Sequence, residues 1–220
     1  MNNSYSRYIN IWLLSLATII LFMIAVGGLT RLTESGLSMV DWDPIMGIIP
    51  PLTESDWGIL FNQYKLFPEY QIKNQGMSLN EFKYIFWWEY GHRVLGRFIG
   101  IFFIVPFLFF YIKKCFSNKD LFIYLTLLFL GGMQGLIGWW MVKSGLDINP
   151  YVSHFRLAVH LLMAQIILSI IVFLFLKRVT LQSYKNINNT HSALFLIFSL
   201  LIFTTVTYGA FMAGLDAGQS

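Results

Sequence analysis

Cysteine is almost missing from this sequence. Cys115 stands alone, which excludes an intrachain disulfide and any CxxC metal or redox site, and leaves it the role of a small apolar filler. Charge is scarce too: Asp, Glu, Lys and Arg supply 12% of the residues, about half the fraction usual in a soluble domain. The basic residues are spread over loops without a stripe or a reading-module motif, so no nucleic-acid partner is expected.

What is plentiful is apolar surface, 56% of the residues, with 21 Phe and 7 Trp. It falls into five runs, at residues 9–29, 88–112, 121–142, 152–176 and 192–212. Each is about twenty residues or more, enough to cross hydrocarbon at ~1.5 Å per residue. The fold class expected is therefore all-α, a polytopic transmembrane helical bundle. The first run reads as an uncleaved span and not a signal peptide, being long, flanked by Arg7 only and followed by no small-x-small site. It lacks the Arg- and Ser-rich amphipathic look of a transit peptide, which favours a bacterial membrane.

Residues 30–88 form the longest polar stretch, with Pro44, Pro50, Pro51 and Pro68 marking its turns. Thr53 with Asp56, and Ser78 with Glu81, are capping signals. They predict a short helix to about Lys65 and a second helix leading straight into span two. A structured cap over the bundle is expected, because about sixty idle residues would be unusual. Lys113, Lys114 and Lys119 in the second loop, and Lys177, Arg178 and Lys185 in the fourth, lie on the side of the N-terminus. The positive-inside bias makes that side cytoplasmic and turns residues 30–88 outward. Gly96 with Gly100, and Gly131 with Gly135, have the GxxxG spacing that lets helices approach closely in lipid.

An internal repeat is present. Residues 26–38 align without gaps on 208–220, matching Gly27 to Gly209, Glu34 to Asp216, Gly36 to Gly218 and Ser38 to Ser220. Both copies follow the outer end of an odd-numbered span. The expected organisation is an N-terminal four-helix bundle over residues 1–185 and, over 186–220, the first helix of a second, truncated bundle of a longer protein of eight spans.

Candidate chemistry gathers at residues 86–100, where Glu89, His92, Arg93 and Gly96 follow at helical spacing and share roughly one face. Trp87 and Trp88 suit a membrane–water interface, and ionisable groups at the edge of hydrocarbon point to function. His92 enters span two from outside and His160 lies in the outer part of span four, so both sit roughly 10 Å inside the boundary. Two histidines at one depth suit axial ligation of a haem between helices; the bland alternative is a pair of packed, hydrogen-bonded imidazoles. Arg31, Arg93, Arg97 or Arg156 could meet its propionates. Glu89 could act as a general base or stabilise a developing cation, or simply pair with Arg93 four residues on. His154 reads as an interfacial residue, and His191 is assigned no role.

Residues 27–38, the Pro50-Pro51 turn, residues 65–70 with Pro68-Glu69-Tyr70, residues 86–97, 134–145 and 152–161 together resemble the haem A synthase family, nearly end to end and in register. The likeness is greatest to its alphaproteobacterial and mitochondrial branch. Asp43 departs from the basic or neutral residue usual there. The resemblance implies eight helices in two pseudosymmetric bundles, and oxidation of a methyl of haem O to the formyl of haem A for cytochrome oxidase, with water as oxygen source. It implies that His92 and His160 are the axial pair of the substrate bundle and that Glu89 is the catalytic carboxylate. It places a haem b in the other bundle, which this chain lacks. Partners implied are haem O synthase, cytochrome oxidase assembly proteins, the lipid bilayer and further copies in a homo-oligomer, in a bacterial inner membrane. The rival functions are a cytochrome b-like electron carrier, a haem assembly factor without chemistry, or a transporter-like bundle.

Overall fold

Hydroxyl side chains open three of the helices. Thr53, Ser78 and Ser117 each accept from a backbone N–H three residues on, and Asp56, Glu81 and Asp120 accept from the cap residue's own N–H in return. Such reciprocal caps contribute about 1 kcal/mol each. The first two lie where the sequence predicts them; the third starts span three a few residues early. The computed structural model describes residues 5–40, 46–180, 189–215 and 217. Asp43, Pro44, Lys185, Asp216, Gly218, Ser220, the boundary expected at 185–186 and the side chain of His191 lie outside the described residues.

The helices are α1 (Ser6–Leu32), α2 (Glu54–Tyr64), α3 (Leu79–Ile112), α4 (Asn118–Lys143), α5 (His154–Thr180) and α6 (Asn189–Gly214), with no strand among the described residues. Five of them, all but α2, are long and apolar enough to cross a membrane. This is a multi-pass membrane protein of the all-α class. α1 packs on α3 and α5, and α4 packs on the same two, which closes a ring of four; α6 packs against α5. The 34 residues of α3 extend about 51 Å, well beyond ~30 Å of hydrocarbon. Its first turns therefore stand clear and hold α2 through Trp57, Phe61, Tyr64, Phe82, Ile85 and Phe86, the buried core of the predicted cap.

Packing inside the ring is uneven along its length. At the N-terminal end of α1 the core is dense and aromatic, with Trp12, Phe103, Phe107, Phe110 and Tyr124 interlocked and Cys115 buried beside them. Pro106 cannot donate to the carbonyl four residues before it, and the indole of Trp12 fills that place by donating to the Phe102 carbonyl at 3.0 Å. Toward the other end the ring is sparse. No residue of α1 from 21 to 29, of α3 from 90 to 102, or of α4 from 128 to 143 is buried.

Glycine is used differently from the GxxxG expectation. A methyl group on Gly100, Gly131 or Gly135 would meet open space, and one on Gly96 would only touch the end of Met23. Those spacings bring no backbones together here. The tight places are Gly27, Gly138, Gly145 and Gly214, each filled by a side chain from another segment.

The two copies of the repeat leave their helices by the same turn. Thr33 N–H bonds to the Leu29 carbonyl and Ser35 N–H to Thr30; in the second copy Leu215 bonds to Phe211 and Ala217 to Met212. Glu34 holds the left-handed conformation at this exit (φ 50°), where glycine is the usual residue. Its ion pair with Lys73, at 3.4 Å and half exposed, offsets little of that cost. Glu34→Gly should therefore keep or slightly raise stability, and Glu34→Val should lower it by about 1–2 kcal/mol, as read from thermal unfolding in detergent.

Candidate functional site

His92 and His160 both lie in the sparse half of the ring, on α3 and α5. Each imidazole rests against a glycine of the neighbouring helix. A Cβ on Gly27 of α1 would come to 3.0 Å from His92 Cε1, and one on Gly138 of α4 to 3.0 Å from His160 Cε1. Any larger residue would push the rings away. Thr30, one turn beyond Gly27, places its Oγ1 3.2 Å from His92 Nδ1. Gln134, one turn before Gly138, donates through Nε2 to the His160 carbonyl at 3.0 Å. His160 Nδ1 is buried without a hydrogen-bond partner, and so is Gln134 Oε1.

Glu89 lies one turn before His92 and is 4% exposed. Its Oε1 takes Arg93 Nη2 at 2.6 Å, the expected i,i+4 pair. Its Oε2 takes the Ser38 hydroxyl at 2.8 Å and the Met39 N–H at 2.7 Å, while Arg93 also reaches the Met39 carbonyl at 2.8 Å. The carboxylate thus pins the chain leaving α1 onto α3, and Leu37 completes the closure by seating over Gly145. Sequence spacing revealed the Arg93 bond but not Ser38 or Met39, because a contact across fifty residues leaves no local pattern.

The arginines divide by level. Arg31 donates to the Ala213 carbonyl at 2.6 Å, tying α1 to α6. Arg156 donates to the Trp140 carbonyl at 2.8 Å and lies over the Trp140 ring. Arg97 follows Arg93 by one turn, deeper along α3. A guanidinium carries five N–H donors in a fork that matches a carboxylate. His154 packs against Phe155, Phe211 and Gly214 at the α5–α6 junction. Among the described residues no three His, Cys, Asp or Glu side chains gather as a free-ion site. Two imidazoles, each seated on a glycine of the neighbouring helix, fit a flat metal macrocycle better.

One buried acid escaped the sequence reading. Glu69 follows Pro68 in the cap, accepts from Tyr64 Oη at 3.0 Å, and that hydroxyl accepts from Asn74 Nδ2 at 2.7 Å. Burial pushes its carboxyl up to about 8; the Tyr64 hydroxyl and Lys73 oppose this, and charge on Glu89 and Glu34 adds to it. Tyr64, fully buried, is pushed up by burial first and by Glu69 second. No motif flags such an acid, since only its surroundings make it unusual.

A family described as cytochrome oxidase assembly protein matches residues 10–220 of the chain. Curated relatives include proteins named heme A synthase from Pelagibacter ubique, 48% identical over 99% of this chain and 64% of that protein, and from Azorhizobium caulinodans, 46% identical over 97% and 61%. The protein of that name from Rickettsia bellii is 45% identical over 94% and 62%. The chain thus spans somewhat under two thirds of the length of these relatives. No solved structure matches it.

Two outcomes follow for the acids. Glu69 is protonated in the fold over a range where the unfolded chain has released its proton. Its contribution is therefore complete below pH ~4.5 and is lost as pH rises to about 8. Glu69→Gln should flatten the fall in melting temperature between pH 5 and 8; an unchanged slope would reject the buried-acid assignment. Glu89→Ala should destabilise by about 3 kcal/mol, because it strands the Arg93 guanidinium, and denaturant melts would register the loss.

Proposed function

Because this chain belongs to the family of cytochrome oxidase assembly proteins and has curated heme A synthases among its relatives, we propose that it is the substrate-binding part of a membrane oxidoreductase that turns haem O into haem A. The observation that carries this reading is the pair His92 and His160, seated on Gly27 and Gly138 in the sparse half of the ring, with Glu89 one turn away. His92 and His160 would hold the substrate iron through neutral ring nitrogens. Arg31, Arg93, Arg97 and Arg156 supply the cations for its propionates.

The net change is R–CH3 + H2O → R–CHO + 4 H⁺ + 4 e⁻, so the site must accommodate positive charge building on a carbon. Glu89 suits that task without moving. Three donors hold its carboxylate in place beforehand, and a preorganised negative group stabilises an electron-deficient centre at no cost of reorientation. The same three bonds favour this role over proton abstraction, since both oxygens are already engaged as acceptors. A plain electron carrier offers no reason for a buried carboxylate beside the ligand pair.

The electrons would leave through a haem b in a second bundle, of which α6 is the first helix under the division at residues 185–186. The cap of residues 30–88 faces outward from a bacterial inner membrane in this reading, with the N-terminus cytoplasmic. Haem O synthase would deliver substrate, cytochrome oxidase assembly proteins would receive product, and the protein would work as a homo-oligomer.

The test is haem extraction and mass analysis from cells expressing the full-length protein. Glu89→Gln, which keeps the shape of the side chain, should retain bound haem while haem A falls on the order of 100-fold and haem O or its hydroxylated form accumulates. A normal haem A yield would reject the catalytic role. His92→Ala and His160→Ala should each abolish the low-spin haem spectrum of this bundle; an unaltered spectrum would leave them as packed histidines.

A further inference from the structure

The two imidazoles share a local design that neither the helix ring nor the family match requires. Each sits on a glycine of the adjacent helix, with a hydrogen-bonding side chain one turn from that glycine: Gly27 and Thr30 on α1 for His92, Gly138 and Gln134 on α4 for His160. We propose that Thr30 and Gln134 are positioning residues that take the Nδ1 proton of His92 and of His160, and so present the Nε2 of each ring to the ligand between them. This rests on the reading that a haem iron lies between the two rings.

For His92 the direction of the bond can be worked out. The Thr30 hydroxyl has one proton, and its oxygen lies 2.8 Å from the Val26 carbonyl and 2.9 Å from the Gly27 carbonyl. Those carbonyls cannot donate, so the proton goes to them and a lone pair of Oγ1 faces His92. At 3.2 Å that lone pair meets Nδ1, which must carry the hydrogen. The neutral ring then has its bare lone pair on Nε2, the state a metal ligand needs. Thr30 is itself buried, so water does not compete for the bond.

For His160 the same pairing is prepared. Gln134 already touches residue 160 through its amide nitrogen, and the two groups left over, Gln134 Oε1 and His160 Nδ1, are both buried and both unpartnered. One is an acceptor, the other becomes a donor in the tautomer that frees Nε2. A single water bridging the two would satisfy both at once. Ligating histidines nearly always donate their second ring nitrogen in this way, which fixes ring orientation and raises ligand basicity.

The experiment has two arms. In the ligand-free protein, ¹⁵N spectra of histidine should show His92 and His160 as Nδ1–H tautomers. Thr30→Val and Gln134→Leu should each release their own ring to a mixture. In the haem-loaded full-length protein, the same variants should bind haem at normal stoichiometry but raise its midpoint potential and shift the low-spin ferric resonance. Thr30→Ser should restore the parent values, and Gln134→Glu should move the potential below them. Nε2–H tautomers in the parent, or variants with unaltered tautomer, potential and resonance, would overturn the proposal. A parent protein whose low-spin spectrum survives loss of either histidine would instead overturn the haem reading, and the ¹⁵N arm would still judge Thr30 and Gln134.

Discussion

A carboxylate withdrawn from water needs its lone pairs met, and Glu89 meets that demand by drawing the outer chain down onto α3. Arg93 comes from its own helix, but Ser38 and the Met39 N–H arrive from the segment that leaves α1. One ionised side chain thereby joins the helix that carries His92 to the loop that closes over it. The left-handed turn at Glu34 directs the chain to that point, and Leu37 over Gly145 ties the same loop to the α4–α5 connection. Buried ion pairs stabilise weakly in net terms. What this one supplies is placement of a negative charge one turn from an imidazole.

The ring divides its labour along its axis. Near the N-terminus, large aromatic side chains interlock, and Trp12 satisfies the carbonyl left over by Pro106. Toward the cap, glycines and half-buried side chains replace them, and His160 Nδ1 and Gln134 Oε1 are buried there without a partner. A helix bundle in lipid gains little from hydrophobic burial between helices, so packing and hydrogen bonds decide where it is firm. The dense half holds the four helices in register, while His92 and His160 stand where α1, α3 and α4 bury no side chain.

α6 stands in a particular relation to this ring. Its exit repeats two backbone bonds of the α1 exit, and Arg31 of the first copy donates to Ala213, the residue at its own aligned position in the second. Gly27 seats His92, whereas its counterpart Gly209 meets open space. The chain spans under two thirds of its curated relatives' length, and in the proposed organisation the partner for that second glycine belongs to the second bundle.

Sequence alone determined the five apolar helices, the capped helix starts at Thr53 and Ser78, and the Glu89–Arg93 pair. All of these follow from hydropathy, capping chemistry and helical periodicity, which act within a few residues. Only the tertiary structure decided which glycines matter, that Glu89 is bonded by Ser38 and Met39, that Thr30 meets the His92 ring and Gln134 the His160 carbonyl, and that Glu69 is a buried acid. The GxxxG spacings suggested close helix contact and misled, since small residues permit an approach without compelling it. These features depend on which face of each helix meets which neighbour. That choice is made by the whole ring at once, through contacts tens of residues apart that leave no trace in local order.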